Sequence, residues 1–183
     1  MATQFNVPTR AEVSADNQAI FDNLDKALGF VPNLYATYAY SPTALGDYLA
    51  LQNRKSSLKA REREVINLVV SQVNECAYCL AAHTTLGKLN GFTDEQLLDI
   101  RAGEVTFDER IAALTTFVRE TTVNRGRPTE AAVDQLFAAG YTKENLVDII
   151  VTIGDKTISN FLHRVTDVPV DFPAAPALQP ATA

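Results

Sequence analysis

Residues 64–83 read EVINLVVSQVNECAYCLAAH. Val65, Leu68, Val69 and Gln72 fall at helical spacing, and Asn74 interrupts the run. Beyond the break, Cys76, Cys79 and His83 recur at i, i+3 and i+7, so on a second helix they share a face. The spacing predicts one helix over 61–73 and another over 75–90, with Asn74 as the N-cap between them. The stretch holds both cysteines and one of the two histidines of the chain. An acid, two thiols and an imidazole are thereby gathered in twenty residues.

The rest of the chain carries the same helical period. Ser14 opens a helix reaching Leu28, with Ile20, Leu24, Ala27 and Leu28 on its apolar face and Gly29 as its stop. Pro32 starts a short second helix, and Ser41-Pro42 is an N-cap and N1 pair for a third that runs to Arg54. Thr93-Asp94-Glu95-Gln96 and Thr106-Phe107-Asp108-Glu109 both fit a capping box, and further helices are expected at 108–124, 129–139 and 143–164. No segment alternates with period two, so the fold class is all-α, a single-domain helical bundle over 1–168. The Pro- and Ala-rich stretch 169–183 reads as an extended C-terminal arm, wrapped on a neighbouring subunit or disordered.

An internal repeat runs through this pattern. GFTDEQLLDI at 91–100 returns as GYTKENLVDI at 140–149, and Glu62-Arg63 finds an upstream echo in Glu109-Arg110. Two helical units of nearly fifty residues follow, unless two helices merely share a common capping solution. The second unit has Ile111 where the first has Glu64, and it lacks cysteine, so one unit alone carries the chemistry.

Composition bounds the function. A net charge of -6 and a pI near 4.9 offer no positive footprint for nucleic acid. The absence of a basic stretch and of an 18-residue apolar run gives no support for a membrane span or membrane-surface binding. The opening MATQFNVP has neither the charged nor the apolar region of a secretory signal, which points to a cytoplasmic protein. In that reducing compartment, paired cysteines are redox-active or metal-binding rather than a permanent staple.

Several chemistries compete for the pair. Haem attachment needs His directly after the second cysteine, and Leu80 stands there. Structural zinc needs four ligands, usually from two separated knuckles, and no second pair exists. Two cysteines acting only as small buried hydrophobes is the plainest alternative. Cysteines in the first turn of a helix are favoured as thiolates by the orphan N–H groups, and an imidazole one turn beyond Cys79 can take a proton. His163 reads as a terminal-turn cation or packing residue, and Asp155, Lys156 and Arg164 read as a solvated face. Phe30, Tyr35, Tyr38 and Phe92 are spaced as core or pocket aromatics.

The motif Arg61-Glu62-Arg63-Glu64, Asn74, Cys76-Ala77-Tyr78-Cys79, His83, Gly87 and Gly91-Phe92-Thr93 resembles the alkylhydroperoxidase D family, within the carboxymuconolactone decarboxylase superfamily. The specific motifs cover 58–100. The resemblance implies a thiol peroxidase that reduces hydroperoxides, in which Cys79 is peroxidatic, Cys76 resolves it, and Glu64 with His83 forms a proton relay. It further implies no metal or bound cofactor, a dithiol reductant or redox protein partner, and a homo-oligomer, trimeric or hexameric. The alternatives are a disulfide reductase or adaptor serving a peroxiredoxin, a lyase like the superfamily's namesake, and a zinc-stabilised interaction module. Tyr78 stands where well-studied members carry a histidine.

Overall fold

A computed structural model describes residues 5–178. The first four residues, read above for a leader, and the last five of the expected arm lie outside that description. Among the described residues there is no strand. Within the described residues a short 3-10 turn, Arg10–Glu12, precedes nine helices: α1 Ala15–Leu28, α2 Asn33–Tyr38, α3 Ala44–Gln52, α4 Ala60–Val73, α5 Ala77–Leu89, α6 Asp94–Ala102, α7 Glu109–Val123, α8 Glu130–Ala138 and α9 Lys143–Thr166. The all-α fold class is therefore correct.

Helix α4 is the hub, packing against α5, α6, α7 and α9. Its apolar residues Val65, Leu68 and Val69 are buried as the spacing predicts, and with Leu97, Ile100, Leu114, Phe117 and Ile149 they build one core. A second core lies on the other side, where α1–α3 bring Phe21, Leu34, Tyr38, Leu45 and Tyr48 against Cys76, Cys79 and Val168. The thiols thus sit under the N-terminal helices. Of the expected aromatics, Tyr38 is in this second core with Tyr35 packed on it, whereas Phe92 belongs to the first core and is no part of the thiol surroundings.

Three predicted caps shift. Asn74 caps the end of α4 instead of the start of α5. Glu75 adopts φ 53°, and the Cys76 N–H bonds back to Ser71 O at 3.0 Å, so Cys76 itself becomes the N-cap of α5. Ser41-Pro42 makes a turn ahead of α3, whose N-cap is Thr43; Asn17 Nδ2 donates to the Ser41 carbonyl at 2.9 Å and ties that turn to α1. At α7 the cap is Asp108, which accepts from the N–H groups of Arg110 and Ile111, a stronger carboxylate acceptor than the Thr106 hydroxyl.

The repeat at 91–100 and 140–149 is structural, with a capping box at Thr93 on α6 and at Thr142 on α9. Its upstream register differs from the Glu62-Arg63 echo. Arg61 lies over the Phe92 ring at 4.2 Å and Arg110 over Tyr141 at 3.7 Å, so the same cation–ring pair is found again 49 positions later. Arg61 and Arg110 are therefore the equivalent pair, which places Ala113 opposite Glu64.

The described part of the C-terminal arm runs along its own chain. Asp171 Oδ2 accepts from Asn33 N at 2.7 Å, Phe172 packs edge-on to Phe30 and Tyr78, and Arg101 Nη1 donates to Pro176 O at 2.6 Å. Among the described residues no helix is long and apolar enough to cross a membrane.

Candidate active site at the N-terminus of α5

Cys76 and Cys79 are both free thiols and both buried, 0% and 3% exposed. The N–H of Cys79 donates to Cys76 Sγ at 3.3 Å, the N-cap interaction that a serine hydroxyl usually makes. Cys79 Sγ in turn lies 3.9 Å from Ser159 Oγ on α9. A hydrogen bond from Cys76 favours the Cys79 thiolate; burial opposes it, and the charges of Lys156 and His83 add to it, so the Cys79 thiol falls well below its ordinary value. The cost falls on Cys76, whose thiol is pushed up by the same hydrogen bond and by burial. The two thiols are thereby driven apart, Cys79 toward the thiolate and Cys76 away from it.

His83 and Glu64 meet as expected. Nδ1 of His83 is 2.8 Å from Oε2 of Glu64, and Asn67 Nδ2 donates to the other carboxylate oxygen at 3.5 Å. Burial pushes the Glu64 carboxyl up, but His83, Lys156 and Asn67 more than offset it, so Glu64 is held below its ordinary value. With Nδ1 held by Glu64, Nε2 is the ring nitrogen left to exchange protons with the thiol site. The four residues of the sequence motif are therefore brought to one place.

Helix α9 supplies what the sequence reading missed. Asp155 and Lys156 are buried, not a solvated face; only Arg164 of that trio is exposed. With Ser159, Asn160 and His163 they form a polar stripe on the inner face of the helix. Asn160 Nδ2 donates to Ser71 Oγ at 3.1 Å and its Oδ1 accepts from Asn74 at 3.0 Å, which clamps the α4–α5 turn to α9. The recurrence of Thr152, Asp155, Lys156, Ser159, Asn160 and His163 at helical spacing was the available signal. Tyr38 stacks on Tyr48 at 4.4 Å, and burial pushes the Tyr35, Tyr38 and Tyr48 phenols up, so all three stay protonated donors. The Tyr38 hydroxyl and Asp155 Oδ1 are buried with no partner.

Two further positions have structural roles. Tyr78 accepts from Leu34 N at 3.3 Å and packs against His163 and Phe172, so the residue that replaces the family histidine anchors α2 and the arm. His163 is a packing residue, buried with Nε2 3.1 Å from Val168 O. Among the described residues no three of His, Cys, Asp and Glu are placed to hold a metal ion. A cleft of about 300 Å³ lined by residues such as Pro8, Val13 and Tyr40 contains none of the thiol-site residues.

The all-helical fold is of the alkylhydroperoxidase D kind, and at one helix start it carries a buried Cys-x-x-Cys backed by a histidine–glutamate pair. The model of the carboxymuconolactone decarboxylase family matches residues 37–120, and the chain belongs to that family. The uncharacterized protein YdfG of Bacillus subtilis is 30% identical over 106 residues, spanning 55% of this chain and 69% of that one. A peroxidase-related protein from Silicibacter sp. TM1040 superposes with a TM-score of 0.80 at 24% identity, covering 94% of this chain and 91% of its own. The alkylhydroperoxidase core protein from Ralstonia eutropha JMP134, also described as peroxidase-related, gives 0.79 at 23% identity and 88% of each chain.

Proposed function

We propose that this protein is a thiol-dependent peroxidase that reduces hydroperoxides through a Cys76–Cys79 dithiol cycle. The observation that carries the reading is geometric: two buried thiols meet at the start of α5, the Cys79 N–H on Cys76 Sγ at 3.3 Å, with the Glu64–His83 pair between α4 and α5 and buried Lys156 on α9. The Cys79 thiolate attacks the outer oxygen of the hydroperoxide, the O–O bond breaks, and the leaving alkoxide takes a proton from the His83 imidazolium. The products are an alcohol and a sulfenic acid on Cys79. Cys76 then attacks Cys79 Sγ, with its proton passing to His83 and on to the departing hydroxyl, which leaves as water. An external dithiol reduces the disulfide and returns both thiols. Glu64 orients and charges His83 throughout. The depth of the thiols favours a small oxidant over docking of a large disulfide partner at Cys79. The likeness to solved structures described as peroxidase-related supports the same reading, while family membership is equally compatible with a lyase.

The test is a peroxide-consumption assay with a panel of hydroperoxides and dithiol reductants. Turnover that is lost in Cys79→Ser is the result expected. If no hydroperoxide oxidises the thiols, while the Cys76→Ser/Cys79→Ser protein still decarboxylates a carboxylated lactone, the lyase reading replaces this one.

A further inference from the structure

The Tyr38 hydroxyl on α2 and Asp155 Oδ1 on α9 are buried without a hydrogen-bond partner among the described residues, and both side chains belong to residues more than nine-tenths buried. Leaving such groups unpaired costs stability, so their presence needs a reason. The neighbouring phenols are satisfied. Tyr35 Oη donates to Gln52 Oε1 at 2.5 Å, and Gln52 Nε2 donates to Tyr48 Oη at 3.4 Å. Tyr38 stacks on Tyr48 at 4.4 Å with nearly parallel rings, yet its hydroxyl has no share in this chain.

Both groups belong to the surroundings of Cys79. Helices α2 and α3 pack on α9, and Tyr38 and Tyr48 share a core with Cys79. Asp155 stands one helical turn before Ser159, whose Oγ is 3.9 Å from Cys79 Sγ. Burial, then Tyr48, Asp155 and Cys79, push the Tyr38 phenol up, so it stays a donor with Asp155 and the thiol close by. A phenol offers a proton and a carboxylate accepts one. Their complement is a small group that accepts one hydrogen bond and donates another, as the O–O–H group of a hydroperoxide does.

We propose that Tyr38 and Asp155 hold the O–O–H group of the substrate against Cys79. The inference rests on the peroxidase reading and adds two substrate-contacting residues to it. Asp155 accepts from the O–H of the outer oxygen, the atom that Cys79 attacks, and Tyr38 donates to the inner oxygen. As the S–O bond forms and the O–O bond breaks, the outer oxygen keeps its hydrogen and remains on sulfur as the sulfenic acid. The electron pair of the O–O bond leaves on the inner oxygen, which Tyr38 stabilises until His83 protonates it. Tyr38 keeps its own proton throughout.

The test compares two reactions of the reduced full chain. One is single-turnover oxidation of Cys79 by a hydroperoxide; the other is its alkylation by iodoacetamide at the same pH, which needs the thiolate but no O–O–H contact. Tyr38→Phe should lower the ratio of oxidation to alkylation by about 10- to 100-fold. The factor should be the same for hydrogen peroxide, tert-butyl hydroperoxide and cumene hydroperoxide, because the contact is to the group they share. Its melting temperature should not fall, since the lost hydroxyl has no partner among the described residues. Asp155→Leu should lower the ratio by about tenfold, and Asp155→Asn, which keeps an acceptor oxygen, should restore most of it. An unchanged ratio in Tyr38→Phe or in Asp155→Leu, the result for a pair that serves only a structural water, overturns the proposal and leaves the peroxidase reading standing. So does a loss confined to the bulky hydroperoxides, which would put Tyr38 against the organic group. If no hydroperoxide oxidises the wild-type thiols, both readings fall together.

Discussion

Oε2 of Glu64 and Nδ1 of His83 lie 2.8 Å apart, joining α4 to α5 in a site where both side chains are about nine-tenths buried. Buried partners of this kind act as one unit, because removing either leaves the other uncompensated. Glu64→Gln and His83→Gln should each slow peroxide reduction by about a hundredfold, and the double variant should lose little more. Circular dichroism should show the helices intact. Additive losses would mean that the two residues act separately.

The thiols have distinct roles. Cys79→Ser should abolish peroxide consumption, while Cys76→Ser should consume a single equivalent and stop. A sulfenic acid trap followed by mass spectrometry should then label Cys79 in the Cys76→Ser protein. Label on Cys76 of the converse variant, with none on Cys79, would reverse the assignment.

Because the Cys79 thiol is lowered to about 5, its thiolate is populated at neutral pH and is lost only as the pH falls through that value. Alkylation of Cys79 should therefore stay fast from pH 8 down to about pH 6 and drop below about pH 5. Lys156→Met removes a favourable charge, so the midpoint should move up, as it should in Cys76→Ala, which loses the larger hydrogen-bond contribution. The melting temperature of Lys156→Met should fall, since the buried charges of Glu64 and Cys79 lose the cation that offsets them. An unchanged midpoint in both variants would show that neither group holds the thiolate.

Asp148 on α9 accepts from the Ser57 N–H at 2.6 Å and hydroxyl at 2.7 Å and is paired with Arg54. Burial opposes its ionisation, but these contacts outweigh it and hold the carboxyl below its ordinary value. Its contribution to stability is complete above the ordinary carboxylate pKa and is lost as the pH falls through the depressed one. Asp148→Asn should cost about 2 kcal/mol in denaturant unfolding at pH 7. That difference should shrink in strong acid.

Gly87 in α5 has Leu97 Cδ2 of α6 only 2.6 Å from where a Cβ would sit, and Leu97 is itself buried in the first core. Gly87→Ala should therefore overpack the α5–α6 contact and destabilise by about 1–3 kcal/mol. A stabilised variant in thermal melts would show that Leu97 can yield without cost.

The sequence by itself determined the helices and the thiol motif, because both rest on local spacing: Val65, Leu68 and Val69 for the buried face of α4, and Cys76, Cys79 and His83 for one face of α5. It missed the cap at Cys76, where the left-handed Glu75 turn overrode the usual preference for asparagine and a thiol accepted the N–H instead. Tertiary structure alone decided that Glu64 reaches His83 and that α9 turns its polar side inward. A helix with Asp155 and Lys156 on one face and Ile158 and Phe161 on the other is ordinarily read with the apolar side buried. Here the polar side is drawn in because it faces Cys79 and Glu64, whose charges Lys156 offsets. Such compensation depends on which helices meet, and periodicity within a single helix carries no information about its neighbour's charge.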